Sequence, residues 1–272
     1  MTDIFKDGFD LGDFSAWSET SIKNGSLTVT PTSLKGDYAA KSLTVPTLEL
    51  ARAQAIAFID EPIVYARAYF YINQGPESLG THDRFYFLRI LGIDAGLLAS
   101  VGIRREADQP ARWTLWYRIT TNPYAGAHIY GIPYVETGPR WICIELAYNR
   151  ALGQYEVWVD GISVVSMTVG ASDNPDAGRV EFGIYKSGAT GASYDPTGEY
   201  TIEVLIDECV IADTYIGLLE DGTVPPTTPP IEPLLPKARE MLSTFAFMEQ
   251  IYARVDEFRI KRQQGTPLPG IE

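Results

Sequence analysis

The clearest structural signal in the chain is Tyr155-Glu-Val-Trp-Val-Asp160-Gly161-Ile-Ser-Val-Val-Ser-Met-Thr-Val169. Two runs rich in β-branched and aromatic residues flank the pair Asp160-Gly161. Asp-Gly is typical of a type I′ turn, because both central residues of that turn need a positive φ. The stretch therefore predicts an antiparallel β-hairpin.

A further strand precedes this hairpin. The run Trp141-Ile-Cys-Ile-Glu-Leu-Ala-Tyr148 is joined to it by residues 149–153, which makes a three-strand meander. Successive strand residues point to opposite faces, so Ile142, Ile144 and Leu146 share one face and Trp141, Cys143 and Glu145 share the other. This alternation predicts one face in the core and one partly wet face.

Strand-like runs separated by Gly, Pro, Asn and Asp clusters fill the first 220 residues, and no helix-length periodicity occurs before residue 234. The remaining predicted strands are Ser26–Thr30, Tyr38–Val45, Ile63–Asn73, Arg84–Leu91, Leu97–Arg105, Arg112–Thr121, Arg179–Lys186 and Glu199–Ala212. The pattern predicts an all-β, antiparallel sandwich.

Three segments resemble the laminin-G/concanavalin A-like jelly roll. They are the hairpin after Tyr148, the opening Asp7-Gly-Phe-Asp-Leu-Gly-Asp13-Phe-Ser-Ala-Trp17, and the closing strand Val204-Leu-Ile-Asp207-Glu-Cys-Val-Ile211. The resemblance covers roughly residues 4–216. It implies a two-sheet antiparallel jelly roll and says little about function, because one fold hosts many functions.

The charge is unevenly distributed. The chain has a net charge of −13, whereas residues 221–272 hold six Lys/Arg and seven Asp/Glu, a net charge of −1. The first 220 residues thus carry −12. A field of this sign repels phosphate backbones, so we expect no nucleic-acid partner.

Cys143 and Cys209 lie inside strand-like runs and are either a disulfide or two buried thiols. The start of the chain has no basic segment followed by an apolar one, so we expect no signal peptide. No apolar run is long enough to span a bilayer, and we expect no membrane insertion. These features predict a virion or cell-surface protein that is cytoplasmic before release.

The composition changes at Pro225-Pro226-Thr227-Thr228-Pro229-Pro230. Six prolines within Pro225–Pro236 predict an extended, semi-rigid linker over 221–236. An amphipathic helix is predicted over 237–264, followed by a tail over 265–272 that starts with the helix-stopping residues Gly265 and Pro267. We expect domain boundaries at these positions, with the jelly roll over 1–220.

The predicted helix carries a heptad-like apolar seam, formed by Ala238, Met241, Phe245, Met248, Tyr252 and Val255. Steps of three and four residues are typical of a coiled coil, and bulky side chains at these positions suit a trimer or a larger assembly. We expect self-association through residues 225–262. The alternative is a helix that packs on its own sandwich.

One strand resembles part of a known active site. Phe182-Gly-Ile-Tyr185-Lys186 is similar to the K-x-G-x-Y strand of jelly-roll polysaccharide lyases, in which the Tyr can act as acid and base. The resemblance makes Tyr185 the only catalytic candidate. It departs from the pattern at Glu181, which replaces Lys and is expected to repel a uronate, and neither His82 nor His128 lies in a Q-x-H pattern.

Glycan binding without catalysis needs exposed aromatic rings and a few hydrogen-bonding groups. The loop over 122–134 is aromatic and rich in Gly and Pro, as recognition loops often are, although an ordinary wide loop explains it equally. The candidate residues are Tyr69, Tyr71, Trp116, Arg118, Tyr124, Tyr130 and Tyr134.

Carboxylates near the start of the chain and on the closing strand are candidate ligands for a structural Ca²⁺. Asp7, Asp10 and Asp207 would supply the oxygens that calcium prefers. Turn capping explains the same residues without a metal.

These observations favour a non-enzymatic, multimeric display or adhesion protein, such as a virion structural or decoration component, with glycan binding as a candidate role of its jelly roll. A polysaccharide lyase or other glycan-active enzyme is the first alternative. A protein-binding scaffold is the second.

Overall fold

The computed structural model describes residues 2–45, 47, 49–72, 84–105, 113–122, 127–131, 134–135, 140–168, 175–186 and 201–219. At residue 84 and between 104 and 135 it describes the backbone alone. Within these ranges no helix is long and apolar enough to cross a bilayer.

The first sheet has eight antiparallel strands. Its strands are β1 (Asp3–Asp7), β3 (Gly25–Thr30), β4 (Ala39–Thr44), β6 (Ile63–Ile72), β12 (Trp141–Asn149), β13 (Gln154–Val159), β14 (Ile162–Thr168) and β16 (Ile202–Ala212). They pair in the order β14-β13-β12-β6-β16-β4-β3, and β1 pairs with the end of β16.

The second sheet also has eight antiparallel strands. They are β2 (Glu19–Lys23), β5 (Ala51–Glu61), β7 (Arg84–Gly92), β8 (Leu97–Arg105), β9 (Trp113–Asn122), β10 (Ala127–Gly131), β11 (Tyr134–Val135) and β15 (Ala177–Lys186). The order is β10-β9-β8-β7-β15-β5-β2, with β11 beside β9. The two sheets form the jelly-roll sandwich that the sequence predicts.

The hairpin predicted at Asp160-Gly161 is confirmed. Asp160 and Gly161 have φ values of 49° and 77°, as a type I′ turn requires. The Asp160 carboxylate also accepts hydrogen bonds from the Cys143 backbone N–H (2.9 Å) and Arg140 Nη1 (2.9 Å). The turn is thereby fixed to β12, which completes the predicted meander.

The core lies between the two sheets and contains the predicted inward residues of β12, Ile142, Ile144 and Leu146. Aromatic contacts join the sheets. The rings of Phe70 on β6 and Phe87 on β7 lie 4.5 Å apart. Such pairs add roughly 1 kcal/mol to the stability gained from area burial.

The architecture differs from the prediction in several places, since β1, β2 and β5 were not predicted as strands. β5 begins with the Ala-rich run Ala51-Arg-Ala-Gln-Ala-Ile-Ala, and alanine is a poor strand former when exposed, so composition gave no strand signal. Its alanines face the core. The predicted loop over 122–134 contains β10 and β11, both paired with β9. The predicted linker and helix, residues 221–272, lie outside the described residues.

Candidate functional site

The outward face of the second sheet carries a row of polar side chains. On β15 the alternation places Arg179, Glu181, Gly183 and Tyr185 away from the core, as the sequence predicts. Opposite them on β5, Gln54 pairs with Gly183 and Arg52 pairs with Tyr185. β7 lies on the other side of β15, where Arg89 pairs with Glu181.

Glu181 is the hub of this row. It accepts hydrogen bonds from Arg89 Nη1 (2.7 Å) and Gln54 Nε2 (3.0 Å) through Oε2, and Arg179 Nε lies 3.0 Å from Oε1. The Arg179 contact is an ion pair without hydrogen-bond geometry. The Glu181 side chain is only 3% exposed and its charge is offset by two arginines, which weakens the repulsion that we expect between Glu181 and a uronate.

Arg89 joins this hub to Tyr185. Its guanidinium carbon lies 3.7 Å from the centroid of the Tyr185 ring, in a cation–π contact. Burial lowers the pKa of Arg89, and the nearby Glu181 carboxylate opposes that shift. Arginine stays charged even so, since its ordinary pKa lies far above neutral pH.

Several donors of this face have no partner. Two of them are the buried Nε groups of Arg52 and Arg89, which make no hydrogen bond. The third is the buried hydroxyl of Ser100, the residue opposite Arg89 on β8. The Nε groups of Arg67 on β6 and Arg140 next to β12 are unpaired as well, and all of these atoms have almost no exposed surface, so the missing bonds alone do not mark a ligand site. Arg89 and Arg179 contact the Glu181 carboxylate and Arg52 lies opposite Tyr185, so three arginines on this face favour an anionic ligand.

A β-bulge in β15 separates Glu181 from Tyr185. Phe182 pairs with Leu88, whereas Tyr185 pairs with Tyr86, so β15 has one extra residue at this point. Gly183 has a φ of 122°, and a Cβ there would lie 2.2 Å from the Ala53 carbonyl oxygen. Only glycine fits this position, and bulges of this kind re-aim neighbouring side chains.

The predicted glycan candidates do not form one surface. Tyr69 and Tyr71 lie on β6 of the first sheet. Tyr69 is fully buried, so its ring cannot stack on a sugar in this conformation, and Tyr71 contacts Trp141 at a centroid distance of 5.7 Å. Strand alternation placed both residues on a polar face but could not show which sheet would hold β6.

The segment 213–219 covers Tyr69, and we call it the C-terminal strap. The Glu145 carboxylate accepts the backbone N–H groups of Ile216 (2.8 Å) and Gly217 (3.0 Å), and Arg67 donates to the Gly217 carbonyl at 2.9 Å. The Leu219 N–H donates to the Tyr69 hydroxyl at 3.0 Å. The strap therefore lies on the outward face of the first sheet. The arginine row, which is formed by Arg52, Arg89 and Arg179, lies on the outward face of the second sheet.

The other candidates lie on or near the second sheet. Arg118 pairs with Ser100, and Trp116 pairs with Gly102. Tyr130 of β10 is opposite Arg118, and Tyr134 of β11 is opposite Thr114. Tyr124 lies outside the described residues.

The candidate calcium ligands have other partners. Asp7 accepts hydrogen bonds from the Phe9 N–H (2.8 Å) and Trp17 Nε1 (2.5 Å). Asp207 accepts the N–H groups of Leu34, Lys35 and Glu208 at 2.7–3.0 Å. Asp10 is exposed and packs against Gly36. In the described ranges, no group of three or more His, Cys, Asp or Glu side chains is placed to hold a metal ion.

Sequence reasoning missed Gln54, Arg52 and Arg89 as site residues. The sequence did contain a signal for the first two. Arg52 and Gln54 alternate with alanines, so if the alanines face the core, the two polar side chains point outward. Arg89 lies in a strand whose alternation is interrupted at Phe87 and Leu88, both of which face the core, and this bulge hid its orientation.

The fold is that of the concanavalin A-like jelly rolls. The chain is similar to an endo-β-1,4-glucuronan lyase from the fungus Trichoderma reesei, with a TM-score of 0.57 and 14% identity over 84% of this chain and 100% of the lyase. It is also similar to the cellulose-induced protein Cip1, with a TM-score of 0.55 and 18% identity over 79% of this chain and 100% of Cip1. At these identities the likeness shows the fold alone. No protein-family model and no curated protein matches the chain.

Proposed function

We propose that the chain is a multimeric display or adhesion protein, such as a virion decoration component, whose sandwich binds an acidic glycan on the outward face of its second sheet. The arginines of that face carry this proposal. Arg52, Arg89 and Arg179 lie on it beside a partly exposed Tyr185 ring. A uronate has both a carboxylate that pairs with arginine and a sugar face that stacks on an aromatic ring.

The charge of the whole domain sharpens this argument. Residues 1–220 carry a net charge of −12, so non-specific attraction would draw cations to the surface. A cluster of arginines on such a domain is a local exception. It favours a specific anionic ligand over general electrostatic adhesion.

The strap supports the display role. It brings the chain to Leu219 on the outward face of the first sheet, whereas the arginine row lies on the opposite face of the sandwich. The segment that we propose for self-association, residues 225–262, follows it. Light scattering on the full chain and on a 1–224 truncation tests this role. We expect the full chain to be a trimer or a larger assembly and the truncation to be a monomer. A monomer in both forms would contradict the role.

Binding is tested with one backbone in two charge states. Polygalacturonate and its methyl-esterified form differ in carboxylate charge and share the sugar chain. We expect calorimetry to show binding of the acidic form only, weakened about tenfold by Arg52→Ala and by Arg179→Ala. Arg150→Ala is the matched control, because Arg150 pairs with Asp176 away from the row.

Equal binding of both polymers would contradict the role of the arginines. Binding of neither would contradict the glycan proposal and would favour a protein-binding scaffold.

A polysaccharide lyase is the second candidate, and the Arg89–Tyr185 contact favours it. Elimination requires a base that takes the C5 proton of a uronate while the C4–oxygen bond breaks and a C4=C5 double bond forms. Tyr185, starting as the phenolate, would take the C5 proton and pass it to the leaving oxygen. Gln54 would donate a hydrogen bond to the uronate carboxylate, and the arginines around Glu181 would offset its charge.

The lyase candidate is tested by the absorbance of unsaturated product during incubation with uronate polymers. We expect Tyr185→Phe to abolish any signal while leaving affinity within a few-fold, because the ring remains beneath Arg89. A signal that survives Tyr185→Phe would exclude Tyr185 as the acid and base.

A further inference from the structure

A buried serine of the first sheet reaches across the core to the strand that carries Tyr185. Ser42 lies on β4 and is fully buried. Its hydroxyl donates to the Ala53 carbonyl oxygen on β5 at 2.6 Å and accepts from the Ile184 N–H on β15 at 3.0 Å. Both partners belong to the second sheet, so one side chain links the two sheets by hydrogen bonds.

These two contacts are specific to the bulge. Ala53 and Ile184 are directly opposite in the β5–β15 pairing, and Ile184 stands between Gly183, with its φ of 122°, and Tyr185. A hydroxyl in an apolar interior lowers stability unless it is hydrogen-bonded, and the Ser42 hydroxyl both donates and accepts a hydrogen bond. The hydroxyl therefore holds the backbone where the bulge ends.

The bulge determines which residues meet on the outward face. Glu181 pairs with Arg89, and a regular ladder would then bring Tyr185 opposite Phe85. The extra residue instead brings Tyr185 opposite Tyr86, one position nearer to Arg89 along β7. A shift of one residue is about 3.3 Å, comparable to the distance between the Tyr185 ring and the guanidinium.

We propose that Ser42 is a positioning residue, which holds the Gly183 bulge so that the Tyr185 ring lies under Arg89. If the outward face binds a uronate as proposed above, Ser42 also sets the affinity of that face without touching the ligand. This second part of the inference rests on the proposed function. The position of Tyr185 itself does not depend on that function.

The chain supplies a matched control on the same strand. Thr44 lies two residues after Ser42, so it shares the inward face of β4, and it is 1% exposed. Its hydroxyl is buried without a hydrogen-bond partner. Ser42→Ala and Thr44→Val each remove one buried hydroxyl, but only the first removes a link to the bulge.

The experiment has a readout that needs no ligand. The full chain is labelled with ring-¹³C tyrosine, and the Tyr185 signal is assigned by its absence in Tyr185→Phe. We expect Ser42→Ala to move the Tyr185 ring signal out of the position set by Arg89, and Thr44→Val to leave it in place. Affinity for polygalacturonate is then measured on the same samples, with about a tenfold loss expected for Ser42→Ala alone.

The possible outcomes test the positioning role of Ser42 separately from the proposed glycan binding. A moved ring signal with no polygalacturonate binding in the unmodified protein supports the positioning role and contradicts the proposed glycan site. An unmoved ring signal in folded Ser42→Ala, or equal shifts in Thr44→Val, overturns the positioning role whatever the binding. If Ser42→Ala does not fold, Ser42→Cys fills the same space with a weaker acceptor, and a normal ring signal there likewise overturns the inference.

Discussion

Arg89 lies over the ring of Tyr185, with 3.7 Å between the guanidinium carbon and the ring centroid. The same guanidinium donates to Glu181 at 2.7 Å. A ring on one side and a carboxylate on the other fix its orientation, and its Nε remains without a partner. This cation is held in place before any ligand arrives, which lowers the entropic cost of binding an anion.

The Glu181 hub should be important for stability. We expect Glu181→Gln to lower the free energy of unfolding by about 3 kcal/mol, because the buried Arg89 loses its counter-charge. Urea denaturation measures this loss. In the control Glu203→Gln, the Lys41–Glu203 pair is more exposed and the expected loss is about 1 kcal/mol or less. Equal losses in both variants would contradict the role of Glu181 as a buried hub.

The strap should depend on Glu145. Its carboxylate accepts two strap N–H groups, so Glu145→Ala is expected to speed amide exchange at Ile216 and Gly217 at least tenfold, while core amides of β12 stay protected. Hydrogen exchange followed by NMR measures this. Glu156→Ala, which removes a carboxylate of the neighbouring β13, should change neither amide. Unchanged exchange in Glu145→Ala would show that the strap is held by its other contacts.

Asp207 should make stability depend on pH. Burial raises its pKa from 3.8 to about 6, although three backbone N–H groups oppose the shift. The folded state therefore holds this proton more tightly than the unfolded state does. Its contribution to stability is complete below about pH 4 and is lost as the pH rises through about 6.

The comparison with Asp207→Asn isolates this contribution. The difference in free energy of unfolding between the unmodified protein and the variant should fall between pH 4 and 6. Asp13→Asn should show the opposite slope, and only below about pH 4, because hydrogen bonds from Ser15 lower the pKa of Asp13. A flat difference for Asp207→Asn would contradict the raised pKa.

The two cysteines should be unreactive in the folded protein. Cys143 and Cys209 are buried free thiols, and burial raises the pKa of Cys143 to about 12 and that of Cys209 well above 9.0. Because the thiolate is the reactive form, we expect no reaction with a thiol reagent in buffer and two equivalents in denaturant. Fast labelling of the folded protein would contradict this burial.

Local patterns were sufficient to predict much of the sandwich. The Asp160-Gly161 turn and the outward row on β15 follow from residue type and alternation, which depend on neighbours in the chain. The sheet to which each strand belongs depends on contacts far apart in sequence. That is why Tyr69 was grouped with Arg118, although β6 and β9 lie in different sheets.

The centre of the candidate site was harder to predict than its catalytic candidate. Tyr185 lies in a motif-like strand, whereas Gln54 is in an Ala-rich strand with weak propensity and Arg89 follows a bulge. The full set of partners of Glu181 could not be foreseen, because Gln54 and Arg89 come from two other strands. The strap was missed since its contacts are made by backbone N–H groups, which leave no trace in residue type.

The most direct test of the central proposal is to map the ligand onto the two faces. A ¹⁵N-labelled sample is titrated with an oligogalacturonate, and the backbone amide shifts are followed. We predict shifts concentrated in residues 52–58, 86–91 and 179–186, with the amides of 141–149 unchanged. Shifts on the first sheet, or none at saturating oligosaccharide, would contradict binding on the outward face of the second sheet.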